Sequence, residues 1–279
     1  MTKLNTPRQN LLLGALPVET YERLSSDLEL VPMPCGKVLY ESGSELRYAY
    51  FPTTCIVSNV YVVEDGRSSE LAVVGHEGFI GLGIFMGGRT MPHQAVVSNA
   101  GYAYRIQRQL FINEFESRHG GDNDQSLFQL LLRYIQALIT QIAQTAACNR
   151  HHSIYQQLCR WLLLNLDRQA SNQILVTHDY LANMLGVRRE SITDAAGKLQ
   201  QKGLIGYDRG RLSVLNRQGL EAQVCECYHV ITAEFERLIP AFAELAACPI
   251  ESAPDLPDKF AKQPPANPIS SKPIHSPFR

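Results

Sequence analysis

Arg188, Arg189, Glu190 and Ser191 stand in a row, and all four side-chain types can read the edge of a base. An arginine fork bonds guanine bidentately, and a carboxylate accepts from the exocyclic amine of cytosine. That chemistry requires the four to be presented together at the tip of a helix, and the flanking spacing supplies one. Leu181, Ala182 and Leu185 form the inner face of a short helix, and Gly186 ends it where a residue without Cβ reaches positive φ easily. Ile192, Ala195, Ala196 and Leu199 recur three and four apart and line one face of a second helix. Ala182, Gly186 and Ile192 fit helix-turn-helix spacing: a small residue at a close crossing, a turn glycine, then an apolar anchor.

The residues on either side extend this unit. Thr177 can cap the first helix and, with His178, meet a phosphate. Lys198 and Lys202 are either solvated helix charges or phosphate contacts. Leu204–Tyr207 and Leu212–Leu215 are short apolar runs around Asp208-Arg209-Gly210-Arg211, which reads as a β-hairpin with Arg209 and Arg211 at a basic tip. A helix-turn-helix followed by such a hairpin is a winged helix. The charge distribution agrees. Residues 149–220 hold ten Lys/Arg against five Asp/Glu, whereas residues 1–148 hold eleven against fourteen and residues 221–279 five against eight. A basic segment inside an acidic chain suits local phosphate binding.

Residues 177–216 resemble the DNA-binding domain of the Crp/Fnr transcription regulators, in the Gly186-Val187 turn, the Arg189-Glu190 helix start and the Gly203-Leu204-Ile205 exit to the wing. With the segments below, the resemblance covers about residues 10–220. It implies a sequence-specific, dimeric regulator of double-stranded DNA, with RNA polymerase as a further partner. It also implies base reading by Arg189 and Glu190, with Ser191 next. Asp194 stands where the family usually has a base-reading arginine, and Arg188 stands at an N-cap usually held by serine or threonine. The operator should therefore differ from the familiar half-site.

Between Val31 and Phe111 the texture is β-rich. The runs VLYES, YAYFPTTCIVSNVYVV, SELAVVG, HQAVVS and GYAYRI alternate with glycine-containing turns, as in a small sandwich or barrel. The resemblance implies a cyclic-nucleotide-binding type of β-roll, with Gly78–Gly88 similar to its phosphate-binding cassette. The cassette departs from the binding pattern, however. Gly81 is followed by Leu82 with no carboxylate to accept from a ribose, and Pro92-His93 replaces the phosphate-binding arginine-serine pair, with Arg89 arriving too early. Loss of that charge-assisted contact would cost about 2–3 kcal/mol. Cyclic AMP is thus not expected as the effector, and Gly81, Leu82, Arg89 and His93 are the candidate lining of a pocket for another one.

Asp122–Asn149 reads as one long helix, capped by Asp122 or Asp124. Phe128, Leu132, Ile135, Ile139, Ile142 and Ala146 form a coiled-coil stripe, with Leu127, Leu131, Tyr134 and Leu138 as a second stripe beside it. One stripe can cover the roll and the other can meet a second copy. Beyond the wing, Asn216 should cap a helix running to about Leu238, with Leu220, Val224, Cys227, Ile231, Phe235 and Leu238 on its apolar side.

Metal and redox chemistry find less support. Cys35 and Cys55 are twenty residues apart and no CxxC exists, so an iron–sulfur cluster is not expected. Cys225 and His229 lie four apart and could offer two ligands, but no third lies nearby in sequence. Cys225 and Cys227 read as structural thiols, His151-His152 as a junction, and no metal site is expected. No cofactor is identified, and no nucleophile has a base and an orienting group, so the chain does not read as an enzyme.

The expected fold is α+β: a jelly-roll-like β-roll sensor over 1–121, a dimerisation helix over 122–148, a winged helix-turn-helix over 149–220, a further helix over 221–248 and a Pro-rich disordered tail over 249–279. Eight of the fifteen prolines fall in that tail. No stretch approaches the roughly 20 apolar residues of a membrane span, and the N-terminal LLLGAL is too short for a signal peptide, which points to the cytoplasm with reduced thiols. A second reading keeps the effector-binding roll but gives the winged helix a role in protein contacts.

Overall fold

The computed structural model describes residues 6–116, 127–208 and 210–239. Arg209, Asp122, Asp124 and the segment 240–279, with its proposed tail, lie outside the described residues. After a single 3-10 turn, helices α1 (Leu11–Gly14) and α2 (Val18–Ser25) lead into strands β1 (Glu29–Met33), β2 (Val38–Tyr40), β3 (Tyr48–Pro52), β4 (Ile56–Val62) and β5 (Ser68–Val74). Helix α3 (Leu82–Phe85), strands β6 (Gln94–Asn99) and β7 (Gly101–Gln107) and helix α4 (Arg108–Glu116) complete this region.

These strands form two antiparallel sheets, ordered β1-β7-β3 and β2-β6-β4-β5, and the Tyr50–Ile80 bridge ties the cassette to the first of them. The roll anticipated from the alternating texture is present. The run 48–63 is two strands in different sheets, not one, because the chain turns at Thr53-Thr54-Cys55, where all three amides point to Tyr102 O. Helix α2 stops at Ser25, since Glu29 already pairs with Arg105 across β1 and β7.

Helix α5 (Leu127–His151) runs from the roll to the C-terminal region. Its Leu127, Leu131, Tyr134 and Leu138 are buried, and Tyr134 Oη donates to Phe79 O at 3.1 Å. Then come α6 (Ile154–Leu166), β8 (Gln173–Leu175), α7 (His178–Leu185), α8 (Arg189–Gln201), β9 (Ile205–Asp208), β10 (Arg211–Val214), α9 (Arg217–Glu221) and α10 (Glu226–Leu238). The helix expected beyond Asn216 is broken. Asn216 does cap α9, accepting from Gly219 N at 2.8 Å, but the chain turns at Ala222–Val224 and α10 restarts with Cys225 in an extended N-cap conformation. The turn lets Cys225 and Cys227 reach back to α5, which one continuous helix would not allow.

The apolar core is continuous from roll to winged helix. The seam between them is polar at its centre. Arg168 Nε donates to Glu77 Oε1 at 2.7 Å, Arg168 Nη1 donates to Leu164 O at 2.7 Å, and both charged side chains are essentially inaccessible. Gly75 N also donates to the Glu77 carboxylate at 3.1 Å. Asn99 Nδ2 donates to Gln169 Oε1 at 2.8 Å, and Tyr180 of α7 is buried against Ser58 and Ser98 of the roll.

Candidate nucleic-acid interface

Helix α7 begins where Thr177 Oγ1 accepts from Tyr180 N at 3.1 Å and ends at Gly186, whose φ of 65° is left-handed. Val187 N returns to Ala182 O at 2.9 Å, closing the turn. Leu181, Ala182, Leu185, Ile192, Ala195, Ala196 and Leu199 are all buried, as their spacing required. With its inner face so occupied, α8 offers Arg188, Arg189, Glu190 and Asp194 to solvent, with Ser191 partly covered beside them. Arg188 is the N-cap residue and its side chain makes no cap hydrogen bond, so the guanidinium is not committed to the helix end. Arg189 Nε lies 3.5 Å from Asp179 Oδ1, with both side chains more than half exposed.

Asp194 does not stand alone. Its carboxylate meets Lys198 Nζ at 2.8 Å, one turn along α8, so these two positions neutralise each other on the exposed face. His178 Nδ1 lies 3.0 Å from Thr193 Oγ1 and its ring lies 4.6 Å from that of Tyr207, which joins the start of α7 to the wing. Burial and the nearby Arg189 charge hold the His178 pKa below the ordinary value, favouring neutral imidazole. Lys202 is turned away toward Gln223 Oε1 at 2.6 Å, so its charge is used inside the domain.

The wing exists and is larger than the sequence implied. Strands β9 and β10 pair as a hairpin, and β8 adds a third strand with Leu175 opposite Arg211. Three residues with a polar start give too short a pattern for β8 to be read beforehand. Arg211 is exposed at the tip beside Gly210, while Arg209 lies outside the described residues.

The cassette in the roll keeps its backbone and loses its polar lining. Gly81 has φ of 110° and caps α3, and a Cβ there would meet Tyr48 O at 3.3 Å. Leu82 is half-buried against the core. A Cβ at Gly83 would meet Leu46 Cδ1 at 2.8 Å and Met91 Sδ at 3.0 Å, so apolar side chains fill the space on that side. Arg89 points outward and pairs with Glu45 at 3.1 Å, and Glu45 also takes Arg108 at 3.3 Å. His93 Nε2 lies 2.9 Å from Tyr40 Oη, and burial holds its pKa low. Gly81 and Leu82 are thus in the cassette turn, Arg89 is in a surface ion pair and His93 is half-buried at the β2–β6 edge.

A family model described as a cyclic nucleotide-binding domain matches residues 30–118, and one described as a Crp-like helix-turn-helix domain matches residues 156–223. Together they span more than half the chain. The chain belongs to the Crp/Fnr family of DNA-binding transcription regulators. Solved Crp/Fnr structures share the fold. One is a Crp/Fnr-family regulator from Eubacterium rectale, with TM-score 0.59, 16% identity and coverage of 76% of this chain and 96% of that one. FixK2 from Bradyrhizobium japonicum gives TM-score 0.57, 15% identity and coverage of 71% and 98%. The c-di-GMP-responsive regulator CLP from Xanthomonas campestris gives TM-score 0.55, 17% identity and coverage of 71% and 99%. Among curated protein sequences, none matches the chain. Among the described residues, no helix is long and apolar enough to cross a membrane.

In this Crp/Fnr chain the two stripes of α5 have different fates. Phe128, Leu132, Ile139 and Ile142 are exposed, at 48%, 42%, 60% and 37%, and Ile135 is half-buried between them. The neighbouring stripe is packed on the roll.

Sequence reasoning missed one cluster. Cys148 in the last turns of α5, His152 just beyond it, and Cys225 and Cys227 at the start of α10 bring four donor atoms within 4.8 Å of one another. The expectation of no metal site rested on Cys225 finding only His229 nearby. Cys225 is an N-cap rather than a helical residue, so the spacing of four does not align it with His229, which is exposed and meets the Tyr228 ring edge to face instead. The missing partners lie more than 70 residues upstream, and only the turn at 222–224 could have revealed them. A hydrogen bond from Cys148 holds the Cys225 thiol below its ordinary range. Burial pushes the Cys35 and Cys55 thiols up to about 11 and about 12.

Proposed function

We propose that this regulator binds, as a homodimer, a two-fold-symmetric operator, laying the first turn of α8 from each copy into the major groove. Arg189 and Glu190 read bases there; Ser191 and Arg188 serve as base or phosphate contacts. Thr177, His178 and Arg211 hold phosphate. The observation that carries this reading is the exposed arginine-led start of α8, with neither arginine engaged in the helix cap or core. Asp194, paired with Lys198, gives the operator a base preference unlike that of an arginine at the same place.

The dimer uses the exposed stripe of α5. Five apolar side chains at coiled-coil spacing on one open face, continuous with the helix that spans roll and reader, suit an identical helix better than water. The effector acts through the roll and is not cyclic AMP, because the cassette has no ribose-binding carboxylate, its nearest arginine points outward to a surface pair with Glu45, and Leu46 and Met91 occupy the space beside Gly83.

The decisive experiment selects bound sites from random DNA, with and without a small-molecule extract. An enriched inverted repeat whose binding weakens steeply with salt supports this reading. Absence of salt-dependent DNA binding would favour the protein-contact role for the winged helix.

A further inference from the structure

Three thiols and an imidazole meet where the sensor hands over to the reader. Cys148 Sγ and Cys225 Sγ are 3.6 Å apart, and Cys227 Sγ lies 3.5 Å from His152 Nδ1. A tetrahedral ion with bonds of about 2.3 Å to sulfur and about 2.0 Å to nitrogen has ligand–ligand edges of about 3.8 Å and about 3.5 Å. Those two edges already match, all four donor atoms lie within 4.8 Å of one another, and the sulfurs are not bonded to one another. All three cysteines are buried, and a thioether or hydroxyl is not among the donors.

The surroundings are those of a ligand set rather than of packing thiols. His152 turns Nδ1 to the sulfurs and Nε2 to Glu226 Oε1 at 3.2 Å. A carboxylate on the far ring nitrogen is the usual device that fixes a ligating histidine's tautomer and orientation. Gln157 Nε2 donates to His152 O at 2.9 Å and to Cys148 O at 3.4 Å, bracketing the turn that carries two of the four donors. Arg160 is buried on the adjoining helix, where it donates to Thr145 Oγ1 at 2.9 Å, and its charge faces both the buried Glu70 carboxylate and the Cys148 thiol. A buried cation of this kind calls for nearby negative charge.

We propose that Cys148, His152, Cys225 and Cys227 form a zinc-type metal site. Three thiols lose their protons and neutral His152 donates Nδ1, so a divalent ion becomes a centre of net charge −1 with up to three protons released to solvent. That charge joins the Glu70 carboxylate in facing Arg160. All four positions of the ion are protein donors, which makes the site structural rather than catalytic. The ion joins the end of α5 to the start of α10, one residue before the cap of α6, and so fixes the angle at which the reader leaves the long helix. The site stands independently of the DNA-binding reading.

The test uses reduced, chelator-stripped full-length protein titrated with Zn²⁺ against a chromophoric competitor, and with Co²⁺ as a spectroscopic substitute. One ion per chain, with thiolate-to-cobalt charge transfer and tetrahedral visible bands, is expected. Cys225→Ser and Cys148→Ser should abolish stoichiometric binding, whereas Cys159→Ala and His229→Ala should retain it. Glu226→Ala keeps every donor and should weaken affinity about 10- to 100-fold with the cobalt spectrum unchanged; it carries the test if the cysteine variants fold poorly. Binding no tighter than in Cys148→Ser would overturn the proposal. So would a reduced protein that ignores metal and on oxidation simply forms a Cys148–Cys225 disulfide.

Discussion

Arg189 leaves α8 with its Nε 3.5 Å from Asp179, and that contact does not tie it down, since an exposed pair of this kind contributes about 0–1 kcal/mol. Arg189→Ala should therefore cost about 1–3 kcal/mol on a selected operator and little on random DNA, measured by fluorescence anisotropy on both. Equal losses would remove its base-reading role. Arg211→Ala should weaken both DNAs alike and flatten the dependence on salt, because a wing-tip arginine answers to phosphate. A buried histidine gives a pH signature. His76 is 4% exposed with Nδ1 unpartnered, and burial lowers its pKa from 6.5. Below 6.5 the unfolded chain binds a proton that the folded protein refuses, so this contribution to stability is full above that pH and declines as the pH falls through the window beneath it. Melting curves of the parent and of His76→Gln should converge on acidification; a constant gap from about pH 8 to about pH 5 would contradict the assignment. Arg188, Arg189 and Glu190 were legible beforehand because their spacing is local to one hairpin of helices. The neutralisation of Asp194 by Lys198 is equally local, a pair four apart in sequence.

At the scale of elements, α5 tests itself. Leu132→Glu with Ile139→Glu changes two side chains that are exposed in the single chain, so the fold should persist while association is lost. Removing two buried apolar contacts should weaken the dimer by on the order of 3 kcal/mol, about 100-fold in Kd, in sedimentation equilibrium. A parent protein that sediments as a single chain would refute the dimer. Both stripes could be seen in the sequence because a heptad repeat declares its period over many turns. The division of the run 48–63 between two sheets could not, since Thr53-Thr54-Cys55 carries no glycine and turns only by virtue of Tyr102 on a distant strand. The short β8 and the break before α10 were hidden for the same reason: each depends on what another segment offers.

At the scale of the molecule, the pair Glu77–Arg168 joins roll and reader from 91 positions apart, which no pattern in the sequence announces. Glu77→Ala leaves a guanidinium buried without its counter-charge and should cost about 3–5 kcal/mol in denaturant unfolding, whereas a joint apolar replacement of both should cost far less. Unequal behaviour of the two variants is the signature; a small loss from Glu77→Ala would mean that water reaches the seam. The family's modular plan of sensor and reader is plain from the two local textures, yet the pairing across the seam is not. That pairing limits recombination. A reader with Arg168 and Tyr180 cannot be grafted onto an arbitrary sensor, because the recipient must bring a carboxylate at the depth of Glu77 and a recess like the one beside Ser58 and Ser98. Chimeras that ignore this would inherit a stranded cation, and lineages that exchanged one half would have had to remodel the other.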